Sequence, residues 1–263
     1  SAGTTLTLGA GTIVKFDGVH HFVVDGTLVA AGVAGSPVVM TSIHDDAFGG
    51  DTNLNAGGST AAPGQWLRLL LNASSDASTL DFLVVRAAGA SGLAAVEFSQ
   101  SDATLRDVET AILGGPCLGL GLNSKPNVVR CALNGGSRPV DNARIDSLAG
   151  FRFCTAAGNS VENSPRLVSA TLGAGLTASL DRINSCNADG VFVVAGPITV
   201  AIGATLNVGR GVRFKLTSTH VVEFSGTVNL NGTGRDPVVF TSSHVDTIGG
   251  APNLHGSTTL GAA

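Results

Sequence analysis

The sequence is poor in the residues on which many functional classes depend. Tyrosine is absent, tryptophan and methionine occur once each, and only 13% of the residues are charged. The 15 basic and 19 acidic residues give a formal charge of −4, and no Lys/Arg cluster is long enough to follow a phosphate backbone. We therefore expect no nucleic-acid partner. No apolar run reaches the roughly 20 residues of a membrane-spanning helix, so we expect no membrane span in this chain.

Helical periodicity is also missing. No window of about 11 residues places apolar residues at i, i+3, i+4 and i+7 on one face. Short runs rich in β-branched residues, such as TIVKF, HFVV and PVVMT, are separated instead by short turns of Gly, Asn, Asp and Ser. This pattern is typical of strands, and it predicts an all-β chain.

The predicted strands recur at a nearly constant interval. Thr5 and Thr27 are 22 residues apart, the runs beginning at Thr79 and Thr104 are 25 apart, and the run beginning at Val128 follows 24 later. A period of 22–25 residues that holds three short strands is typical of one coil of a right-handed parallel β-helix. We therefore predict a three-sheet solenoid of about eleven coils, stacked about 4.8 Å apart.

A second, longer repeat overlies this period. Residues 3–54 and 203–254 align without a gap and share 21 of 52 residues. Most of the shared residues are Gly, Thr, Pro and Val, which set turns and fill strands. We predict one repeat unit over residues 1–200 and the start of a second copy at 201–263, as in a window from a longer tandem array. The rival interpretation is a self-contained protein whose two ends are alike.

The segment from Gly11 to Asn53, followed by APGQW and STLDFLVVRAAGA, resembles a known kind of repeat. It is similar to the right-handed β-helix repeats of large bacterial secreted and surface proteins, in the broad pectin-lyase-like group. The resemblance covers residues 1–110 and 186–263 well, whereas coil spacing alone carries it over 111–185. It implies a fold more than an activity, because most such repeats resemble stalks and not enzymes. It also implies an extracellular or cell-surface location.

The alternative that the same group implies is a polysaccharide lyase or hydrolase. Its enzymes carry carboxylates with Arg or Lys, or a Gly-His-Gly segment, on one sheet face, and this sequence has no Gly-His-Gly. The best candidates for catalysis are Asp81, Arg106 and Arg130, which we expect at matching positions of successive coils. A cross-coil ladder of paired charges explains them more simply. The scarcity of Trp and Tyr also disfavours sugar stacking.

The loop that follows PVVMTS offers oxygen ligands for a metal ion. Calcium takes 6–8 such ligands. We therefore predict a calcium site at Asp45, Asp46, Asp51 and Asn53, with a plain solvated loop as the alternative. The second copy lacks two of the three carboxylates, so we expect any ion only in the first copy. We expect no other cofactor.

The four cysteines are widely spread, and no pair has the CxxC spacing of a zinc ribbon or a thioredoxin motif. They are Cys117, Cys131, Cys154 and Cys186. Cys131 and Cys154 are 23 residues apart, about one coil, which allows the Cα separation of about 4.4–6.8 Å that a disulfide needs. Two interpretations stay open: a disulfide in a secreted rod, and a ladder of buried thiols.

These features together predict a non-catalytic extracellular rod: a stalk, an adhesin segment or a fibre-forming surface protein. The ends of a parallel β-helix expose unpaired strands, so we expect head-to-tail self-association through residues 1–60 and 200–263. An adhesin would bind a cell-surface glycan or protein. A third hypothesis is ice binding by a threonine face, which the singly recurring threonines disfavour.

Overall fold

The protein is an all-β solenoid of about nine turns, of which 5% is helical. The computed structural model describes residues 3–168 and 170–250. The predicted parallel β-helix is therefore confirmed. Its helical residues form short 3₁₀ segments at Ala73–Ser75, Ala90–Gly92, Ser147–Gly150 and Arg182–Asn184.

Residues 5–152 form three parallel sheets, in which each strand pairs with the strand one coil further along. The first sheet contains β1 (Thr5–Gly9), β4 (Thr27–Ala31), β7 (Thr79–Asp81), β10 (Thr104–Arg106), β13 (Asn127–Val129) and β16 (Phe151–Arg152). The second contains β2 (Ile13–Phe16), β5 (Val38–Ser42), β8 (Leu83–Arg86), β11 (Glu109–Ala111) and β14 (Ala132–Leu133). The third contains β3 (His21–Val24), β6 (Arg68–Leu71), β9 (Val96–Phe98), β12 (Leu118–Leu120) and β15 (Val140–Asp141).

Residues 166–242 continue the solenoid as three further parallel stacks. One contains β17 (Arg166–Leu167), β20 (Val191–Val194), β23 (Arg213–Leu216) and β26 (Val239–Ser242). The next contains β18 (Ala170–Leu172), β21 (Ile198–Val200) and β24 (Val222–Phe224). The last contains β19 (Thr177–Leu180), β22 (Thr205–Val208) and β25 (Thr227–Leu230). Parallel bridges from Ala132 to Thr155 and from Ala143 to Leu167 connect the two regions.

The core consists of columns of apolar side chains that run along the solenoid. In the first sheet, one column contains five fully buried residues from successive strands: Ala30, Leu80, Leu105, Val128 and Phe151. Alternate residues of a strand point to opposite faces, and parallel strands in register place the same face inward in each coil. The recurring apolar position of the sequence is therefore the inner wall of the solenoid.

A left-handed residue ends each strand of the first sheet after the first two coils. Phe82, Asp107, Arg130 and Phe153 have φ angles of 46°, 55°, 53° and 57°. This conformation is unfavourable for side chains with a Cβ. The backbone ladder nevertheless continues through the turn, since the amide of Asp107 donates to the carbonyl of Val129 at 3.0 Å. The same sharp bend toward the second sheet is thus repeated in successive coils.

The number of coils is smaller than predicted because a long loop interrupts the period. Residues 43–67 connect β5 to β6 without contributing a strand. As a result, Thr79 pairs with Val29, whereas Thr5 pairs with Thr27, so the register shifts by two residues across the loop. A shift of two residues keeps the same face inward, so the core pattern survives the loop.

The two ends of the solenoid are built from the repeated segment. Strands β1–β5 reappear as β22–β26 at the 200-residue offset. Among the described strands, β1, β2 and β3 have a neighbour on one side only, and so do β24, β25 and β26 at the opposite end. Residues 251–263, which complete the predicted second copy, lie outside the described residues.

Candidate functional site

Asp45 anchors the loop that follows β5. Its side chain is 2% exposed and accepts hydrogen bonds from Thr41 Oγ1 at 2.7 Å, Arg86 Nε at 2.8 Å and the Ala47 amide at 3.3 Å. Burial raises the pKa of this carboxyl, but the bonds from Thr41 and Arg86 together outweigh it, so the pKa lies below its ordinary value. Asp45 is therefore an ionised carboxylate whose counter-ion is Arg86 of the next coil.

The other three predicted calcium ligands have different surroundings. Asp51 accepts hydrogen bonds from the amides of Asn55 at 3.1 Å and Ala56 at 2.8 Å. Both carboxylate oxygens of Asp46 and Oδ1 of Asn53 are shielded from solvent and have no hydrogen-bond partner within the described residues. The same part of the chain has no group of three or more His, Cys, Asp and Glu side chains that could hold a metal ion. Calcium binding at Asp45, Asp46, Asp51 and Asn53 stays a prediction.

A lysine holds the same loop in both copies of the repeat. Lys15 on β2 donates to the carbonyl of Gly50 at 2.7 Å. Lys215 on β23 donates to the carbonyls of Val245 at 2.9 Å and Gly250. Lys215 is fully buried, and this burial lowers the pKa of its ammonium group. The role of this lysine was not predicted, although its identity in both copies at a constant distance from Gly-Gly was the available signal.

The candidate catalytic residues form two separate ion pairs. Arg106 donates Nε and Nη2 to Asp81 at 2.7 and 2.9 Å, and Arg130 donates the same atoms to Asp107 at 2.9 and 2.6 Å. The predicted alignment of Arg130 with Arg106 is wrong, because Arg106 pairs with Val129. Arg130 lies one residue later, in the left-handed turn. Each guanidinium is thus held by a carboxylate of the preceding coil in a bidentate pair.

Three cysteines form a column of contacting thiols. All four cysteines of the chain are free and buried. Cys131 Sγ donates to the carbonyl of Val129 at 3.5 Å, and Cys154 Sγ donates to the carbonyl of Val128 at 3.5 Å. The nearby Cys154 thiol and burial raise the pKa of Cys131 and Cys186, whereas these two neighbouring thiols lower the pKa of Cys154. Spacing predicted that Cys131 and Cys154 stack, and a disulfide between them stays a prediction.

Cys117 lies apart from this column. Its Sγ is 3.4 Å from Asn159 Oδ1 and 3.6 Å from the carbonyl of Asn134. Burial raises the pKa of its thiol to about 12. Cys117 is therefore a buried structural thiol, although its distance to the next glycine matches that of the other three.

A cleft opens beside the cysteine column. It has a volume of about 590 Å³ and is lined by Cys154 and Cys186 together with Phe153, Arg182 and Ile183. Phe153 is 65% exposed, because its left-handed backbone turns the ring away from the core. The cleft lies where the long sheets of residues 5–152 end, and its apolar rim gives small molecules access to Cys154.

A buried charge cluster escaped the sequence prediction. Glu162 has a side chain that is 4% exposed, and it accepts hydrogen bonds from Arg138 Nε at 2.7 Å and Arg166 Nη1 at 3.3 Å. Burial raises the pKa of Glu162 against the effect of both arginines. Arg138 and Glu162 are 24 residues apart, one coil, which was the signal in the sequence. This cluster joins the two regions of the solenoid.

Apolar side chains are exposed at both ends of the described solenoid. Leu6 and Val23 are exposed at the β1–β3 end, and Phe224, Leu230 and Phe240 at the β24–β26 end. An open strand edge beside apolar side chains is a surface on which another coil can add by parallel pairing.

None of the helical segments in the described residues has the length and apolar character needed to cross a membrane. Comparison of the chain with protein-family models, with curated proteins and with solved structures finds no match. A functional proposal for this chain therefore rests on its own residues and geometry.

Proposed function

We propose that this chain is a non-catalytic structural rod on the outside of a bacterial cell: a stalk, an adhesin segment or part of a fibre-forming surface protein. The observation that carries the proposal is that the candidate catalytic side chains of this chain form ion pairs with side chains of adjacent coils. Asp81, Arg106, Asp107 and Arg130 are each committed to a partner in an adjacent coil. Charges paired in this way are neutralised by their partners and leave little free electrostatic potential for a substrate.

The internal repeat supports the same role. Lys15 and Lys215 each bind a carbonyl of a Gly-Gly loop. This lysine, which both copies retain, therefore has a structural contact within its own copy. A solenoid lengthens by adding units that contact only their neighbours, and repetition is therefore expected of a rod. The resemblance of the sequence to the pectin-lyase-like repeats of large bacterial surface proteins supports the extracellular part of the proposal.

The partners proposed for the rod follow from its ends and its faces. Further coils of the same kind, from the same chain or from a second copy, fit the open strand edges of β1–β3 and β24–β26. A cell-surface glycan or protein would be the ligand if the rod carries an adhesin.

The location can be tested by labelling intact producing cells. Antibodies raised against this chain should label the cell surface, and brief protease treatment of intact cells should remove the label. An antibody against a cytoplasmic protein serves as the control for cell integrity. Labelling that appears only after the cells are permeabilised would overturn the extracellular assignment.

The absence of catalysis requires a separate test, because the alternative is a polysaccharide lyase or hydrolase. We expect no new reducing ends and no unsaturated uronic acids when the protein is incubated with acidic and neutral polysaccharides. A double variant, Arg106→Gln with Arg130→Gln, should behave as the native chain does. Cleavage by the native protein that is lost in this variant would show that the chain is an enzyme and would overturn the proposal of a non-catalytic rod.

A further inference from the structure

Cys131 and Cys154 occupy the same place in adjacent coils. The strands that precede them are in register, with Val129 opposite Arg152, and the amide of Thr155 donates to the carbonyl of Cys131 at 2.9 Å. Residues stacked in this way are about 4.8 Å apart along a parallel sheet, within the Cα separation that a disulfide spans. The two thiols can therefore be joined with little movement of the backbone.

Cys186 extends the column by one more coil. Asn184 Nδ2 donates to the carbonyl of Phe151 at 2.8 Å, which places the chain just before Cys186 over the strand that leads to Cys154. Cys186 and Cys154 also line the same cleft. Cys154 therefore has a thiol in contact on each side, and it is the one cysteine that can form a disulfide with either neighbour.

The three cysteines of the column differ in their exposure to solvent. Cys154 is 8% exposed at the wall of the cleft, whereas Cys131 and Cys186 are each 1% exposed. A small molecule in the cleft therefore meets Cys154 first. The apolar rim formed by Phe153 and Ile183 is open to solvent, so no rearrangement of the solenoid is required for entry.

We propose that Cys154 is a site of thiol–disulfide exchange with low-molecular-weight disulfides, and that the bond it acquires passes to Cys131 or Cys186. This inference does not rest on the proposed function. Cys154 lies in the cleft wall with Cys131 stacked on it, so the Cys154 thiolate, which is the nucleophile in such exchange, would have the reagent disulfide on one side and a resolving thiol on the other.

The reaction balances in two steps. The Cys154 thiolate attacks one sulfur of the reagent disulfide, and the other sulfur leaves with the electron pair and is protonated to a thiol. Cys131 or Cys186 then loses its proton and attacks the Cys154 sulfur, which expels the second reagent thiol. Two protein thiols are oxidised to one disulfide, and one reagent disulfide is reduced to two thiols.

The test uses the folded native chain and glutathione disulfide as the probe. After incubation, the remaining thiols are alkylated under denaturing conditions and assigned by peptide mass mapping. We expect two of the four thiols to be lost, with a disulfide that contains Cys154 and with Cys117 fully alkylated. A disulfide without Cys154, a stable mixed disulfide that does not close, or four unchanged thiols would each overturn the proposal.

Single variants sharpen the assignment. Cys131→Ala and Cys186→Ala should each still lose two thiols, because Cys154 keeps one partner. Cys154→Ala should lose thiols at least tenfold more slowly than the matched control Cys117→Ala, which should react as the native chain does. Equal rates in these last two variants would contradict the role of Cys154. If Cys154→Ala fails to fold, the mapped disulfide of the native chain decides the question.

Discussion

The two copies of the repeated segment have the same strands but differ in what packs against them. Trp66, which follows the first copy, is fully buried, and its ring stacks on Phe16 of that copy with the centroids 4.1 Å apart. In the second copy, Phe240 stacks on Phe214 at 4.9 Å but remains 41% exposed. The repeated segment therefore lies at both ends of the solenoid, but the stacked ring is buried at the first end and partly exposed at the second.

Whether a polar residue is the same in both copies depends on where its binding partner lies. Lys15 and Lys215 each bind the loop of their own copy, and the lysine is retained. Asp45 binds Arg86 on β8, in the next coil, and its counterpart in the second copy is Val245. The lysine that contacts its own copy of the segment is thus retained, whereas the aspartate that contacts a strand outside the segment is replaced in the second copy.

The largest effect is expected from Trp66→Ala. The ring is fully buried, and its Nε1 donates to the carbonyl of Arg86 at 2.7 Å. Truncation should lower the free energy of unfolding by about 3–5 kcal/mol. Phe240→Ala, which removes the stacked ring at the other end of the solenoid, should cost about 1–2 kcal/mol because the ring is already partly exposed. Chemical denaturation measures both, and equal losses would refute the claimed difference between the copies.

A smaller loss is expected from Asp45→Ala, which leaves Arg86 and Thr41 without their acceptor. We expect about 2–3 kcal/mol at neutral pH. Because the pKa of Asp45 is lowered on folding, its contribution is present above the ordinary carboxyl pKa and is lost as the pH falls through the folded value.

The gap in stability between the native chain and Asp45→Ala should therefore close on acidification. Asp51→Ala, which removes an acceptor at an exposed turn of the same loop, is the control and should cost under about 1 kcal/mol. A gap that stays constant down to acid pH would show that Asp45 does not act through its charge.

The more buried of the two lysines should contribute more to the free energy of unfolding. Lys215→Ala removes a fully buried stem and leaves the carbonyls of Val245 and Gly250 without their donor. We expect it to cost about 2 kcal/mol, and Lys15→Ala, at a more exposed site, about 1 kcal/mol or less. Thermal unfolding of the two variants provides the comparison, which fails if Lys15→Ala is the more damaging change.

The smallest effects are expected from the cross-coil arginines. The side chains of Arg106 and Arg130 are 44% and 55% exposed, so solvent screens their ion pairs. Arg106→Ala and Arg130→Ala should each shift the melting temperature by less than about 3 °C. A larger shift would mean that these pairs hold the coils together more strongly than their exposure suggests.

The sequence predicts the fold well because apolar residues recur at the interval of one coil. Leu80 and Leu105 were aligned from spacing alone, and they pair in the structure. The next step was wrong by one residue, because Val128 and Val129 are equally apolar and only the first faces the core. The left-handed turn that follows at Arg130 has no sequence signature, since Phe, Asp and Arg all occur at this position along the solenoid.

The candidate site was less predictable. The acidic residues of the first loop suggested one metal site, and the sequence did not show that Asp45 pairs with an arginine of the next coil or that Asp51 accepts from amides of its own loop. Arg86 is 41 residues from Asp45, and no local pattern links them. The stacking of Cys131 and Cys154 was predicted, because both lie one coil apart in a regular region. The contact with Cys186 was not, because the coil between Cys154 and Cys186 is longer.

The most direct test of the account is to pull a single molecule by its two ends. If coils contact mainly their neighbours, the chain should resist load and release in steps of one coil, most of them 22–28 residues between the paired strands and one of 45–50 residues at the coil that contains the long loop. The shorter steps correspond to roughly 80–100 Å of extended chain. Release of the whole chain in one event, or extension without measurable resistance, would contradict a rod built from stacked coils.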